Sequence, residues 1–411
     1  MHRVHPIFPC LLATTLLALA APAIAVGPQA YVGNFKDATV SVIDTGSAKV
    51  VATLPVAAGP HGMTQSPDGK TVYVSGEASS EVSVIDTATN RVVRSIEVGK
   101  MPHGLAMTPD GRTLLAGVYG EDRVVFVDTG SNTIVGSVGV AKPHTIAVRP
   151  DGKVAYVASQ EPGKFALVVV DLASRSVLRS IAFDKPPRDP EFSADGGALY
   201  VTLAGTNAIQ VIDPGSDKIV AQIPTGASPH IAAHFQNVER GSVVVQGPGE
   251  LLLFDASTNA PLRAIAVGKQ PHWMASSPDG KTMYVTNEGS NDVTVVDLST
   301  GATSTIAVGN APRKIVVQRA AAKAASSNPA VSIANFAFAP ADLTVAAGTT
   351  VTWNNDDGAP HGLAYKDGAK GTDVLLPGQN FTRTFDAPGT YDYVCSVHPY
   401  MSGKVTVTAA R

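Results

Sequence analysis

The chain has 411 residues, more than one ordinary domain needs, so two domains are expected. Its 31 lysines and arginines nearly balance 34 aspartates and glutamates, which gives a formal net charge of -3. That balance gives no reason to expect nucleic acid as a partner. Beyond the N-terminal segment no apolar run is long enough to cross a membrane, so the mature chain is predicted to have no transmembrane segment.

Residues 1–25 are predicted to be a secretory signal peptide and not part of the fold. A basic residue precedes an apolar run from Leu11 to Ala20, and Ala23-Ile24-Ala25 forms a small-x-small cleavage site. The segment therefore predicts a periplasmic or secreted protein. Its removal also removes Cys10, which leaves Cys395 as the single cysteine of the mature chain.

A repeat of about 42 residues fills residues 30–319. The segment Val-Ser-Val-Ile-Asp recurs in varied form and ends at Asp44, Asp86, Asp128, Asp171, Asp213, Asp255 and Asp297. This period, with Pro-Asp-Gly turns between short β-rich segments, predicts the blades of a β-propeller. In one unit the four strands are expected at His103–Met107, Thr113–Val118, Arg123–Asp128 and Thr133–Val140.

The two ends of the repeat indicate how the ring closes. Tyr31–Asn34 matches the second strand of the unit, and Arg313–Val317 matches the first. The last blade is therefore expected to combine one C-terminal strand with three N-terminal strands, which predicts seven blades. The motifs at 73–76 (Tyr-Val-Ser-Gly) and 284–287 (Tyr-Val-Thr-Asn) resemble the YVTN β-propeller repeats of exported bacterial proteins. Such propellers serve both as binding platforms and as enzyme scaffolds, so the resemblance implies a fold and leaves the function open.

Seven repeat-equivalent positions open the first strand of each unit, and five of them carry a Pro-His pair. The seven residues are His61, His103, His144, Arg188, His230, His272 and Arg313. Because the first strand is the innermost, their side chains are expected near one height around the central channel. Three interpretations are open: hydrogen bonding of the rings to loop carbonyls, an electropositive mouth for an anion or a protein surface, or a second metal or cofactor. The two arginines oppose a purely metallic ring unless an anion or a carboxylate such as Asp189 intervenes.

Residues 320–328 are small and polar and are predicted to be a linker to a second domain at 329–411. The 42-residue period is absent there. Short alternating strands are expected at Val331–Phe338, Leu343–Val345, Thr349–Asn354, Phe381–Phe385, Tyr391–Cys395 and Lys404–Thr408. The whole chain is therefore predicted to be all-β, a seven-bladed β-propeller followed by a small Greek-key β-sandwich.

Four residues of the second domain form the donor set of a copper site. Cys395, His398 and Met401 make a Cys-x2-His-x2-Met motif, and His361 follows a proline 34 residues upstream of the cysteine. A thiolate, two imidazoles and a weak thioether are the ligands of a blue-copper electron-transfer site. Structural zinc is disfavoured because zinc sites use Cys, His and carboxylate ligands and not thioethers. The sequence therefore predicts one type 1 copper.

The blocks at 335–340 (Asn-Phe-Ala-Phe-Ala-Pro) and 347–356 (Ala-Gly-Thr-Thr-Val-Thr-Trp-Asn-Asn-Asp) resemble the plastocyanin and amicyanin branch of the cupredoxins. The resemblance covers about 326–411, and the two-residue gap before Met401 is amicyanin-like. It implies as copper ligands His361, Cys395, His398 and Met401. In that branch the residue after the first ligand is often an asparagine that braces the ligand loops, and here it is Gly362. Pro399 and Tyr400 are expected to flank an exposed edge of His398 as an electron exit.

These features predict a periplasmic electron-transfer protein whose copper cycles between Cu(I) and Cu(II), with no catalytic residue. The propeller is expected to dock a redox partner protein such as a cytochrome or a dehydrogenase. The alternative is a copper-dependent oxidoreductase whose propeller channel holds a second metal or cofactor served by the cupredoxin domain. A third interpretation is a copper carrier or sensor, which a fixed four-ligand thiolate site opposes.

Overall fold

The computed structural model describes residues 28–193, 195–234, 240–318, 329–366, 368–369 and 371–409. The predicted signal peptide at 1–25 and the predicted linker at 320–328 lie outside these ranges. The regular elements within them are β-strands, apart from one 3-10 turn at Tyr119–Glu121. Within the same ranges there is no helix of the length and apolarity that a membrane span requires.

Seven four-stranded sheets follow one another between residues 29 and 317, and we number them as blades. The first described strands belong to blade 7 and are β1 (Gln29–Asn34), β2 (Thr39–Asp44) and β3 (Lys49–Pro55). Blade 1 comprises β4 (Pro60–Gln65), β5 (Thr71–Gly76), β6 (Glu81–Asp86) and β7 (Arg91–Glu97). Blade 2 comprises β8 (Pro102–Met107), β9 (Thr113–Val118), β10 (Arg123–Asp128) and β11 (Thr133–Gly139). Blade 3 comprises β12 (Pro143–Val148), β13 (Val154–Ser159), β14 (Ala166–Asp171) and β15 (Ser176–Ala182).

The remaining blades repeat this plan. Blade 4 comprises β16 (Pro187–Phe192), β17 (Leu199–Leu203), β18 (Ala208–Asp213) and β19 (Lys218–Pro224). Blade 5 comprises β20 (Pro229–His234), β21 (Arg240–Val245), β22 (Glu250–Asp255) and β23 (Pro261–Ala266). Blade 6 comprises β24 (Pro271–Ser276), β25 (Thr282–Asn287), β26 (Asp292–Asp297) and β27 (Thr303–Ala307). Strand β28 (Pro312–Val317) then completes blade 7, which confirms the predicted seven-bladed fold.

Blade 7 closes the ring through antiparallel pairing of β28 with β1. The paired residues include Ala30 with Val317 and Val32 with Ile315. Each blade then packs on both neighbours through a separate apolar cluster. In the cluster between blades 6 and 7, for example, Ile315 is 1% exposed and Tyr284 is 4% exposed. A four-stranded sheet buries both faces only in such a ring, so the packing explains why the repeat closes.

The recurrent aspartate of the repeat shapes a turn. It ends the third strand of each blade, and its carboxylate accepts a hydrogen bond from a backbone N–H two or three residues later, as Asp44 does from Ser47 at 2.7 Å. Hydrogen bonds of this kind, first from a serine hydroxyl and then from the backbone, hold the pKa of Asp255 at about 2. The most repeated acidic residue of the sequence is therefore structural.

The second domain is a sandwich of two sheets. One sheet has the order β30-β29-β32-β35 and the other has the order β31-β37-β36-β33-β34. The strands are β29 (Ala330–Ala334), β30 (Ala337–Ala339), β31 (Asp342–Ala346), β32 (Thr349–Asn355), β33 (His361–Tyr365), β34 (Thr372–Leu375), β35 (Asn380–Phe385), β36 (Gly389–Val394) and β37 (Ser402–Thr408). The core between the sheets contains Trp353 and Tyr393, both fully buried, together with Cys395.

One predicted strand, Val331–Phe338, is wrong in detail. The structure divides it into β29 and β30, which pair antiparallel with Ala334 opposite Ala337. The turn between them passes through Asn335 and Phe336, whose φ angles are 53° and 55°. Left-handed backbone at a phenylalanine is uncommon, so the alternating pattern gave no signal for this turn. Strands β33 and β34 were not predicted from the sequence.

Candidate functional site

The structure brings together three of the four predicted copper donors from two separate loops. His361 opens β33, while Cys395 and His398 lie on the 395–401 loop between β36 and β37. The Sγ atom of Cys395 lies 3.6 Å from Nδ1 of His361 and 3.7 Å from Nδ1 of His398. The two Nδ1 atoms are 3.3 Å apart. The three donors therefore form a nearly equilateral triangle.

The size of this triangle fits a metal ion. A point equidistant from the three atoms lies about 2 Å from each, close to the 2.0–2.3 Å that transition metals keep from imidazole nitrogen and thiolate sulfur. Cys395 and His361 are fully buried, and His398 is half-buried. A soft thiolate and two imidazoles in an apolar core suit copper in both of its common oxidation states. The residues present therefore fit the predicted cofactor.

Met401, the fourth predicted donor, ends the same loop. Its side chain is 3% exposed and belongs to the apolar core that includes Cys395. The Met401 backbone N–H donates to the carbonyl of His398 at 3.0 Å, and its carbonyl accepts from the N–H of Cys395 at 3.0 Å. These two bonds fold the loop into a compact turn, so Met401 is held beside the other three residues.

The pKa values of the two histidines in the donor set are shifted in opposite directions. Burial acts to lower the pKa of His361, but hydrogen bonds and charge from Asp357 and Cys395 raise it to about 9. Burial acts to raise the pKa of Cys395, but hydrogen bonds from His361 and nearby backbone N–H groups lower it. Burial and the charge of His361 lower the pKa of His398. The cysteine therefore lies in surroundings that favour the thiolate, the form that binds metal.

Asp357 and Asn355 brace the donors, and neither role was predicted from the sequence. Nε2 of His361 donates to Oδ2 of Asp357 at 3.2 Å, which leaves Nδ1 free to face the thiolate. The buried side chain of Asn355 donates to the carbonyls of Ala359 and Leu375 at 2.8 and 2.7 Å. Gly362, where an asparagine was the expected brace, contributes a backbone hydrogen bond that lowers the pKa of Cys395.

An aromatic and apolar surface surrounds His398. The ring of Phe336 meets the rings of His398 and His361 edge-on, at centroid distances of 4.8 and 5.3 Å. Its backbone N–H donates to Asp357 at 2.8 Å, so the missed β29–β30 turn is joined to the donor set. Val397 and Tyr400 are 41% and 60% exposed on either side of His398 in the loop.

The propeller channel contains the second predicted set of residues. The ring centroids of His61 and His103 are 3.9 Å apart, those of His103 and His144 are 4.0 Å apart, and those of His230 and His272 are 4.2 Å apart. His61 and His272 approach to 5.5 Å across the position of Arg313. The five rings therefore lie close together.

Burial keeps these imidazoles neutral at neutral pH. It is the largest cause that lowers the pKa of all five channel histidines, and the value for His144 is about 4. Nδ1 of His103 bonds to the carbonyl of His144 at 3.0 Å, and Nδ1 of His144 bonds to that of Arg188 at 2.9 Å. Nδ1 of His272 has no hydrogen-bond partner among the described residues. Carbonyl binding, one of the three interpretations, thus describes part of the ring.

Two carboxylates at the channel compensate the charge of Arg313. Its guanidinium lies 3.2 Å from Oε2 of Glu77 and 3.5 Å from Oε1 of Glu288. The same carboxylates approach Nε2 of His103 at 3.9 Å and Nε2 of His272 at 3.8 Å. Burial raises the pKa of Glu77, while the charge of Arg313 opposes that rise.

Asp189, the carboxylate named from the sequence, is not one of the two that meet Arg313. Asp189 is 3% exposed, and burial together with the charge of Glu191 raises its pKa while Lys314 opposes the rise. Arg188 bonds to neutral oxygens of Gln246 and Ser228 at 3.2 and 3.4 Å.

A repeat signal for the missed glutamates exists. One residue follows the second strand of every blade, at steps of 41 to 44: Phe35, Glu77, Tyr119, Gln160, Ala204, Gln246 and Glu288. We call these seven residues the outer tier and the seven Pro-His positions and their equivalents the inner tier. Both tiers follow from the same spacing, but only the inner one carries a recognisable motif.

Comparison with known families matches each part of the chain separately. The family of copper-binding proteins described as plastocyanin/azurin matches residues 325–408, and a YNCE-like β-propeller family matches residues 11–112. Amicyanin-alpha of Methylorubrum extorquens is 37% identical over 91 residues, which cover 21% of this chain and 76% of that protein. Amicyanin of Paracoccus denitrificans is 39% identical over 94 residues, which cover 21% of this chain and 71% of that protein.

The propeller also resembles a solved structure. A chain described as Kuenenia stuttgartiensis hydrazine synthase superposes with a TM-score of 0.61 and 21% identity, over 70% of this chain and 99% of that one. At this identity the similarity shows a shared fold and carries no function.

Replacement of Asp357 by alanine is expected to weaken copper retention about 10- to 100-fold, because it removes the acceptor that fixes the ring of His361. Competition with a copper chelator measures the change. Asp356→Ala is the matched control, since that neighbouring carboxylate accepts from Ser332 at 2.6 Å. Equal copper affinity in the two variants would show that Asp357 does not position the ligand.

Proposed function

Since the chain belongs, through its C-terminal domain, to the plastocyanin/azurin family of copper-binding proteins, we propose that it is an exported electron-transfer protein. The domain carries one type 1 copper, which supplies a one-electron couple between Cu(I) and Cu(II). The observation that supports this function best is the convergence of two imidazole nitrogens on the buried Sγ of Cys395 at 3.6 and 3.7 Å.

In this proposal the copper ligands are His361, Cys395, His398 and Met401. The protein's contribution is to hold them in one arrangement in both oxidation states. Asp357 orients His361, the two backbone bonds of Met401 fix the loop, and the apolar core excludes water from the thiolate. A site that moves little between the two states needs little reorganisation when an electron enters or leaves.

The electron leaves and enters at the exposed edge of His398. His398 is the less buried of the two histidines, and Val397 and Tyr400 give its surroundings an apolar, accessible surface. Apolar surface around a redox centre favours brief contact with a partner, since little desolvation of charge is needed.

The propeller acts as the docking platform for a redox partner protein in the periplasm. Its ring presents loops from seven blades, a scaffold common to binding proteins, and the N-terminal segment has the pattern of an export signal. A second candidate function is an oxidoreductase with a second metal in the propeller channel. One observation favours it: His61, Glu77 and His103 offer ligand atoms within 4.8 Å of one another.

The Cys395→Ser variant tests the copper centre. The wild-type protein, supplied with Cu(II), is expected to show an intense thiolate-to-Cu(II) visible band and the matching EPR spectrum, and the variant is expected to lose both completely. Ser396→Ala, a change at the exposed next residue, should retain them. A wild-type protein that is folded and copper-supplied but lacks the band would overturn the proposed function.

Val397→Lys tests the electron exit. The substitution places a positive charge beside His398 on both molecules of a colliding pair, so the rate of electron self-exchange should fall at least about tenfold. NMR line broadening of mixed-oxidation samples measures that rate. Val93→Lys, at a 61% exposed position on an outer propeller strand, is the control and should leave it unchanged. Similar rates in both variants would place the exit elsewhere.

Export is tested by expression of the full chain in a Gram-negative host. Cleavage after Ala25 should yield a periplasmic protein that begins at Val26, as read by N-terminal sequencing. Ala25→Arg should block cleavage and retain the segment. An uncleaved wild-type protein in the cytoplasm would contradict the proposed location.

A further inference from the structure

A small group of side chains at the propeller channel has the composition of a metal site separate from the copper domain. His61 and Glu77 belong to blade 1, and His103 belongs to blade 2. Each offers one ligand atom, and these atoms all lie within 4.8 Å of one another. Both histidines are 7% exposed. The group therefore lies in a largely enclosed position, with the two rings tilted by 45° at a centroid distance of 3.9 Å.

The hydrogen bonding of His103 leaves two acceptors facing each other. Its Nδ1 lies 3.0 Å from the carbonyl oxygen of His144, and because a carbonyl only accepts, that nitrogen carries the ring proton. Nε2 then presents a lone pair, and Oε2 of Glu77 lies 3.9 Å from it. A cation placed between this lone pair and the carboxylate oxygen would be bound by both.

The surrounding charges permit a cation. The single positive charge of Arg313 faces the two carboxylates of Glu77 and Glu288, at 3.2 and 3.5 Å. The charge of Arg313 is thus shared by two carboxylates and is not left uncompensated beside the group. Arg188 is on blade 4, and its polar contacts are the oxygens of Ser228 and Gln246. The arginine that seemed to oppose a metal also orients Glu77, in the way that outer partners orient metal ligands.

The equivalent place on blade 6 lacks the same arrangement. Nε2 of His272 lies 3.8 Å from Oε2 of Glu288, which reproduces one of the contacts. However, Nδ1 of His272 has no hydrogen-bond partner among the described residues, so nothing fixes which nitrogen carries its proton. The described residues also include no second histidine that joins this pair in a three-donor group. Glu288 is therefore a natural control for Glu77.

We propose that His61, Glu77 and His103 form a second metal site, which binds a divalent transition-metal cation at the propeller channel. Two imidazoles and a carboxylate are ligands that Zn²⁺ and Fe²⁺ accept. Three protein ligands leave a coordination position for water or a small ligand, so the site has the composition of a reactive centre and not of a closed structural one. The inference does not depend on the copper centre, which lies in the other domain.

Zinc titration of the full mature chain tests the site. The background is Cys395→Ser with His361→Ala, which removes two donors of the copper site and leaves the channel intact. Calorimetry with Zn²⁺ should show one bound equivalent, and Co²⁺ should give visible d–d bands from the same site. Glu77→Gln should weaken zinc binding more than about 100-fold, because loss of even an outer partner costs 10- to 100-fold. Glu288→Gln should change it less than about threefold.

His61→Ala is the second test variant and should abolish zinc binding, since the ring of His61 is a ligand in this proposal. Circular dichroism and thermal melting confirm that each variant is folded. Absence of a bound equivalent in the background protein would overturn the site. So would equal weakening by Glu77→Gln and Glu288→Gln, or full zinc binding in the His61→Ala protein.

Discussion

Antiparallel pairing of β28 with β1 is the contact on which the propeller and its channel depend. A single blade leaves both faces of its sheet uncovered, and a row of blades leaves two uncovered faces at its ends. The register that places Ile315 opposite Val32 joins those ends. It also brings Arg313, from the last part of the repeat, between Glu77 of blade 1 and Glu288 of blade 6. The electrostatics of the channel thus exist only in the closed ring.

In the copper domain, too, strand pairing brings together residues that are far apart in the sequence. A thiol and two imidazoles must converge in an apolar core, although His361 is 34 residues from Cys395. The pairing of β33 with β36, where Ala364 lies opposite Val394, brings the two loops side by side. The short loop from Cys395 to Met401 then turns its donors in the same direction. Backbone hydrogen bonds within that loop, and Asp357 beside it, complete the arrangement.

The sequence predicts the parts of this protein that repeat or that carry unusual residues. The 42-residue period predicts the blades and their closure, and a single cysteine within a Cys-x2-His-x2-Met motif predicts the copper donors. Asp357 has no such signal, because its role depends on how the loop before β33 folds. Glu77 and Glu288 share a repeat position with aromatic, amide and small residues, so no motif marks them. The turn at Phe336 uses a backbone conformation that its residue type rarely adopts.

The two tiers of the channel carry different residue types on the same propeller fold. Every blade contributes one inner-tier and one outer-tier residue, and the apolar clusters that hold the ring together lie between the blades. The type of residue at a tier position therefore varies, as histidine, arginine, glutamate, tyrosine and alanine do here, without a change in the scaffold. Point substitutions at these fourteen positions can therefore change the chemistry of the channel while the apolar clusters between the blades stay the same.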